Sequence, residues 1–292
     1  YLKGTEEDKT KKFPAVTVIC FHSLHMASPE FLNSIDVVII DEFHTASSDS
    51  IRIPLAKMEN AYFRYFFSAT PDREQWEDKE LLYASSGLDI IYEYNVNDAV
   101  EDKVMAAVEV ESVDSPQPKD WIDSKWDYRQ AYDLGIVCNG ERNQHFVDLA
   151  IRSMHDNNVL IFTDETEHMD LIVERLLESG VSPYAINGKM EKRKKESTID
   201  SVGKIEKGVI TVGTNAIGVG VDLPLVSMII LLGGGKSFNK IIQQSGRGTR
   251  FVEGVSEECI VITPFDWFHP KLLDHSIKRK VRLESYFNKK EE

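Results

Sequence analysis

The sequence predicts an α/β fold of two tandem domains, each built on a parallel sheet. Three observations predict it. Short apolar runs ending in Gly, Thr, Asp or Pro alternate with amphipathic stretches of helical period, the pattern of a parallel sheet with helical crossovers. The runs form two series, separated by "VDSPQPKDWIDSKWDYRQ" (113–130), a polar stretch with two prolines and two tryptophans. The chain has 292 residues, 42% of them hydrophobic, which suffices for two ordinary cores.

The first series places strands at 17–21 ("TVICF"), 36–40 ("DVVII"), 62–68 ("YFRYFFS") and 89–94 ("DIIYEY"). The second places them at 159–163 ("VLIFT"), 183–187 ("PYAIN"), 208–213 ("GVITVG"), 227–232 ("SMIILL") and 259–263 ("CIVIT"). "DETEHMDLIVERLLESG" reads as a capped helix that starts at Asp164 or Thr166, turns Leu171, Leu176 and Leu177 inward and ends at Gly180. The expected organisation is a first domain over 1–113, a hinge over 114–138 and a second domain over 139–292.

Composition narrows the function classes. A net charge of −14 argues against coating nucleic acid by bulk electrostatics, although it leaves room for a local groove. The dense basic clusters, "KRKK" at 192–195 and "KRKVR" at 278–282, read first as solvated helix faces. Cys20, Cys138 and Cys259 are widely spaced and read as packed, reduced thiols, not as a disulfide frame or zinc site. His22 and His25 lack an acidic or thiol partner nearby in sequence and read as structural. No run approaches a membrane span, and "YLKGTEEDKTKKF" lacks the apolar core of a signal peptide, so an intracellular, cytoplasmic setting is expected.

The stretch "VVIIDEFHTA" (37–46) runs a buried strand straight into two acids. In open parallel sheets, ligands bind beyond the carboxyl ends of strands. An acid pair there can serve nucleoside-triphosphate hydrolysis: Asp41 holding Mg²⁺ through its water shell, Glu42 orienting or deprotonating the attacking water. Alone, such a pair is a weak signal, since Asp-Glu also simply ends strands. "SATP" (68–71) and "GTNAIGVGVDLP" (213–224) also follow apolar runs, and "QQSGRGTR" (243–250) sets Arg247 and Arg250 three apart after a helical stretch. Guanidinium forks suit phosphate because they present several donors and stay charged.

In order and spacing these stretches resemble superfamily 2 helicases. "DEFH" resembles motif II in its D-E-x-H form, "SAT" motif III, "TNAIGVGVD" motif V and "QQSGRGTR" the Q-x-x-G-R-x-x-R of motif VI. "VTVICFHSL", "NGERNQHFVDLA", "VLIFTDETEHMDLI" and "YAINGKM" resemble the branch that holds the RecG, UvsW, type III restriction and XPB-like proteins. The likeness runs from about residue 15 to 265.

The resemblance implies two RecA-like domains in tandem, the first incomplete at its N-terminus, with ATP and Mg²⁺ as cofactors. It implies Asp41 on the metal, Glu42 on the water, and His44 linking the nucleotide site to the second domain through Gln243. Ser68 and Thr70 would couple hydrolysis to domain motion. Gly220 and Asp222 would contact the nucleotide, Arg247 and Arg250 its phosphates, with Arg250 as the arginine finger. Ser23 and Thr214 match positions that touch a nucleic-acid backbone, although Ser23 can instead cap a helix and Thr214 end a strand. DNA is favoured over RNA through the resemblance alone, and low sequence specificity is expected.

The family's phosphate loop, G-x-x-x-x-G-K-[ST], is expected upstream of motif II, and none of the forty residues before Asp41 fits it. "LLGGGKSFNK" (231–240) imitates it, but residue 230, where the first glycine belongs, is isoleucine. The expectation is therefore a motor that lacks its phosphate loop in this stretch of chain, with a separate N-terminal segment supplying it. A non-catalytic nucleic-acid-binding or partner-binding remnant is the alternative.

Overall fold

A computed structural model of the chain describes residues 13–46, 48–69, 80, 90–119, 123–214, 217, 223, 225–246 and 248–288. It divides the chain into two compact units, Tyr1–Glu93 and Tyr94–Glu292.

The first unit runs α1 (Phe21–Leu24), α2 (Pro29–Asn33), β1 (Val37–Ile40), a 3₁₀ turn (Phe43–Thr45), α3 (Asp49–Ala56) and β2 (Phe63–Phe66). Ser28 starts α2 by accepting the Phe31 amide, and Pro29 occupies the first turn, where its missing N–H costs nothing. β1 and β2 pair in parallel, Val37 opposite Phe63 through Ile40 opposite Phe66. Val38 and Ile40 turn into a core with Leu24, Phe31, Leu32 and Leu55, while Val37 and Ile39 face outward, the period-two division of a strand.

Two expected strands are absent here. Residues 17–20 lie outside any strand, Val18 is 96% exposed, and Cys20 precedes α1 as its cap. Residues 90–94 are likewise irregular, and Ile91 is 85% exposed. Their β-branched residues favour extension, but a strand needs a ladder partner, and among the described residues neither segment has one. The expected strand at 62–68 shortens to Phe63–Phe66.

The second unit contains α4 (Val96–Glu101), β3 (Ala107–Asp114), α5 (Tyr128–Tyr132) continuing into a π-helical turn (Asp133–Val137), α6 (Gly140–Ser153), β4 (Val159–Phe162) and α7 (Thr166–Glu178). There follow β5 (Tyr184–Ile186), α8 (Lys192–Val202), β6 (Ile210–Gly213), β7 (Met228–Leu231), α9 (Phe238–Ser245), β8 (Glu258–Phe265) and α10 (Pro270–Phe287). Among the described residues its six strands lie in the order β3-β8-β7-β4-β6-β5, and every pair is parallel. Alternate residues feed two cores. Leu160, Phe162, Ile229 and Leu231 meet α9 and α10 through Ile241, Ile242 and Leu283 on one face. Val159, Ile161, Met228 and Ile230 meet α6 and α7 through Phe146, Val147, Ile172 and Leu176 on the other. A sheet covered on both faces explains why its central strands read as continuous apolar runs.

The expected hinge at 114–138 falls inside this unit. β3 ends at Asp114 after pairing with β8 from Ala107 onward, and α5 follows at Tyr128, whereas the units divide after Glu93. β3 escapes a reading by apolar runs because it is an edge strand that turns Glu109 and Glu111 outward in alternation. In α7 the inward face is His168, Met169, Ile172 and Leu176, and Leu177 is 54% exposed. Leu177 directly follows a core position, and adjacent helical residues point about 100° apart. The helix begins at Thr166, one of the two expected starts, but Glu165 is its N-cap and makes no side-chain bond; Gly180, with φ +80°, follows its end.

Cys20 and Cys138 are exposed and only Cys259 is buried, so the expected packing holds for one thiol of three; all are free. No helix of the described residues is long and apolar enough to cross a membrane.

Candidate active site

In the first unit the acid pair sits where the parallel strands end. The ladder continues past β1: the Phe67 amide donates to Ile40 O (2.8 Å) and the Phe43 amide to Phe67 O (2.9 Å). The residues after β1 are thereby stitched to those after β2, and the Phe43 and Phe66 rings pack with centroids 4.3 Å apart at a 40° tilt. Between the stitches the backbone turns sharply. Glu42 adopts the left-handed conformation (φ 52°, ψ 42°), and the Asp41 carboxylate accepts the Glu42 amide at 2.9 Å. A non-glycine residue held there marks a constraint imposed by its surroundings.

His44 is buried, and its Nδ1 lies 3.0 Å from Ser68 Oγ and 3.2 Å from Glu42 Oε2. One imidazole nitrogen thus bridges the segment carrying the acids and the segment after β2. Ser23 lies within α1 and does not cap it. Thr70 lies outside the described residues.

In the second unit, β6 ends at Gly213 and Thr214 follows, buried, its amide donating to Ile186 O at 3.2 Å. Gly213 is required by packing, because a Cβ there would fall 1.9 Å from Ile217 Cδ1 and 3.0 Å from Ile186 O. Gln243 lies in α9, and Arg250 follows on an extended segment; Arg247, Gly220 and Asp222 lie outside the described residues.

Sequence reasoning missed what holds α9 in place. Lys240 Nζ reaches Asp164 Oδ1, just past β4, at 2.5 Å. The loop Gly233–Ser237 ahead of α9 has its carbonyls engaged by side chains of α5 and α10. Gly234 O accepts from Tyr128 Oη (3.1 Å) and lies 3.2 Å from His275 Nδ1; Gly235 O accepts from Arg279 (3.3 Å) and Lys236 O from Arg282. A Cβ on Gly233 would meet the Asp164 carboxylate at 2.5 Å, and one on Gly234 would meet Ile136 Cδ1 at 2.3 Å. A phosphate cradle turns amides toward its ligand. Here the Gly-Gly-Gly-Lys-Ser loop is a packing joint, with Gly233 and Gly234 needed for close approach.

Beneath that joint lies a buried ionic group. Asp266 accepts Arg142 Nε at 2.7 Å and Arg142 Nη2 at 3.2 Å, with Arg279 Nη2 at 3.7 Å; all three side chains are at most 1% exposed. Burial opposes ionisation of Asp266, but the Arg142 and Arg279 guanidiniums outweigh it and hold the carboxyl below its usual range. Arg279 also donates to Thr263 Oγ1 (2.6 Å) and Pro264 O (2.5 Å). The "KRKVR" run is therefore partly core. His168, also buried, lies with Nε2 3.0 Å from Asn143 Oδ1, and burial followed by the Arg142 charge pushes its pKa down to about 3. No long-range pairing of this kind has a local signal in sequence.

The described residues contain no cluster of three or more His, Cys, Asp or Glu placed to hold a metal. The single carboxylate at Asp41 still suits Mg²⁺, which keeps most of its waters and takes one or two carboxylates beside substrate phosphates.

Comparison with known proteins bears on both halves. Residues 1–73 match the family model "Type III restriction enzyme, res subunit", and residues 141–252 match "Helicase conserved C-terminal domain". The chain is 23% identical over 309 aligned positions to "Putative helicase 22" of Sulfolobus islandicus filamentous virus (isolate Iceland/Hveragerdi), covering 98% of this chain and 54% of that protein. Among solved structures it is similar to the fragment of "a putative HsdR subunit of a type I restriction enzyme" from Vibrio vulnificus YJ016, with TM-score 0.62 and 22% identity over 82% of this chain and 46% of that one. It is also similar to the helicase Lhr of Mycobacterium smegmatis bound to ssDNA and AMP-PNP, with TM-score 0.53 and 19% identity over 92% of this chain and 33% of that one. The chain thus resembles helicases in parts of both units, and its parallel sheets give it the α/β fold expected. It spans about half the length of the viral relative.

Proposed function

We propose that this chain is part of an ATP-dependent helicase or translocase acting on nucleic acid, with DNA favoured over RNA and no sequence specificity. The observation that carries the reading is the Glu42–His44–Ser68 arrangement: an acid held in a left-handed turn past a strand end, joined through one buried imidazole to the segment after the neighbouring strand. A change at the acid is thereby felt at Ser68, which is what coupling hydrolysis to motion requires; Ser68 and Thr70 are the residues we assign to that coupling.

In this reading Asp41 holds Mg²⁺, which when bound neutralises charge on the phosphates. Glu42 orients the attacking water, and His44 relays to Gln243. Gly220 and Asp222 contact the nucleotide, while Arg247 and Arg250 counter the charge that develops on the transferred phosphoryl group. Ser23 and Thr214 contact the nucleic-acid backbone. Lhr's ssDNA and AMP-PNP support the choice of partner and cofactor by likeness of fold.

The 292 residues contain no G-x-x-x-x-G-K-[ST], and we assign the phosphate loop to a segment upstream of the acids. This polypeptide by itself should bind ATP weakly; a micromolar dissociation constant by calorimetry would sink that assignment. The same gap favours a second reading, a remnant that binds nucleic acid or a partner without chemistry. Adding a phosphate-loop segment in trans separates the two, since hydrolysis returns only for a split motor.

A further inference from the structure

Among the described residues, two other than glycine have positive φ: Glu42 and Lys103. The first belongs to the acid pair. Lys103, at φ +56°, has no role assigned to it by motif or resemblance, and its surroundings lead to Arg250.

Lys103 ends α4. That helix starts at once after the first unit, with a capping box in which the Asn95 side chain accepts the Asp98 amide and the Asp98 carboxylate accepts the Asn95 amide. Tyr94 Oη donates to Asp102 Oδ2 at 2.9 Å, which fastens the entry of the helix to its exit. At the exit, the Lys103 amide donates to Val100 O and the Val104 and Met105 amides both donate to Ala99 O. Such a close favours glycine at its left-handed residue. Lysine stands here instead, with Nζ 5.6 Å from the centre of the Phe251 ring, a cation–π distance.

Past this turn the chain lies antiparallel against the segment that carries Arg250. Met105 and Arg250 are bridge partners, the Ala106 amide donates to Thr249 O at 2.6 Å, and the Phe251 amide donates to Val104 O at 3.4 Å. The bonds flank Arg250 on both sides. Ala106 is fully buried and Thr249 nearly so, and a Cβ on Gly248 would lie 2.8 Å from Val226 Cγ1. The backbone of Arg250 is thus gripped between the sheet core and residues 104–106.

We propose that Lys103–Ala106 is the seat that positions Arg250, and that Lys103 is its key positioning residue through its left-handed turn and its contact with Phe251. The proposal rests on Arg250 acting on nucleotide phosphates as read above. The chain leaving the first unit at Glu93 enters the seat through one capped helix, so the connection between the units and the presentation of this arginine are a single piece of structure.

The test compares Lys103→Val, Lys103→Gly and Phe251→Leu in the full-length protein. Valine is β-branched and resists the left-handed turn, glycine accepts it, and leucine removes the ring. Hydrogen exchange, with β4, β6 and β7 as the control for folding, should quicken most at 248–252 in Lys103→Val, which loses the turn and the contact, and less in Lys103→Gly and Phe251→Leu, which lose only the contact. In nucleic-acid-stimulated hydrolysis, Lys103→Val should lower kcat on the order of 100-fold with KM for ATP unchanged, as expected of a misplaced group, while Lys103→Gly and Phe251→Leu, which keep the turn, should lower it less. If Lys103→Val does not fold, Phe251→Leu carries the test alone. Unchanged exchange at 248–252, or quickened exchange with an unchanged kcat, overturns the proposal. Hydrolysis indifferent to both Glu42→Gln and Arg250→Ala overturns the function reading instead, and exchange then decides whether the seat exists.

Discussion

At the scale of the residue, the tension lies in Glu42. A left-handed backbone costs a non-glycine residue roughly 1–2 kcal/mol, and asparagine tolerates it best. Glu42→Asn should therefore raise the unfolding free energy by about 1 kcal/mol in denaturant titrations while removing hydrolysis, the trade expected where function holds a strained residue. His168 gives a second prediction. Its pKa of about 3 in the folded chain lies below the ordinary 6.5, so the unfolded chain binds the proton first as pH falls. Above pH 6.5 the group has no effect on stability; between 6.5 and about 3 it progressively destabilises the fold. By pH 5 the loss is about 2 kcal/mol, and His168→Gln should escape it when unfolding at pH 7 and pH 5 is compared. That Asp41 and Glu42 follow the end of a strand was legible in sequence, because an apolar run and the acids after it form a local pattern. The fate of His168 was not, since nothing near it in sequence shows that α7 turns it inward.

At the scale of the element, the central strands of the second unit were legible because burial on both faces makes them unbroken apolar runs. The edge strand β3 was not, since its alternating glutamates imitate a linker. The segments at 17–21 and 89–94 show the converse: a β-rich run fixes a preference, and only a partner makes it a strand. The Gly-Gly-Gly-Lys-Ser joint depends on α10, whose Arg279 is held by Asp266 beside Arg142. Asp266→Asn keeps the shape and removes the carboxylate that both buried guanidiniums face. It should cost about 3–5 kcal/mol, as when one partner of a buried ion pair is lost, and the denaturant midpoint will show it.

At the scale of the whole molecule, the sequence resemblance spans both units, and the family models match each of them separately, residues 1–73 and 141–252. The acids lie in one unit and Arg250 in the other, so the proposed motor calls on residues of both. The direct measurement is ATP hydrolysis with and without DNA by the chain supplied with a phosphate-loop segment, comparing wild type with Glu42→Gln and Arg250→Ala. A motor of this kind gives hydrolysis that DNA stimulates and that each substitution lowers by a factor on the order of 100 or more. Hydrolysis that survives Glu42→Gln, or none at all in the supplemented wild type, would contradict it.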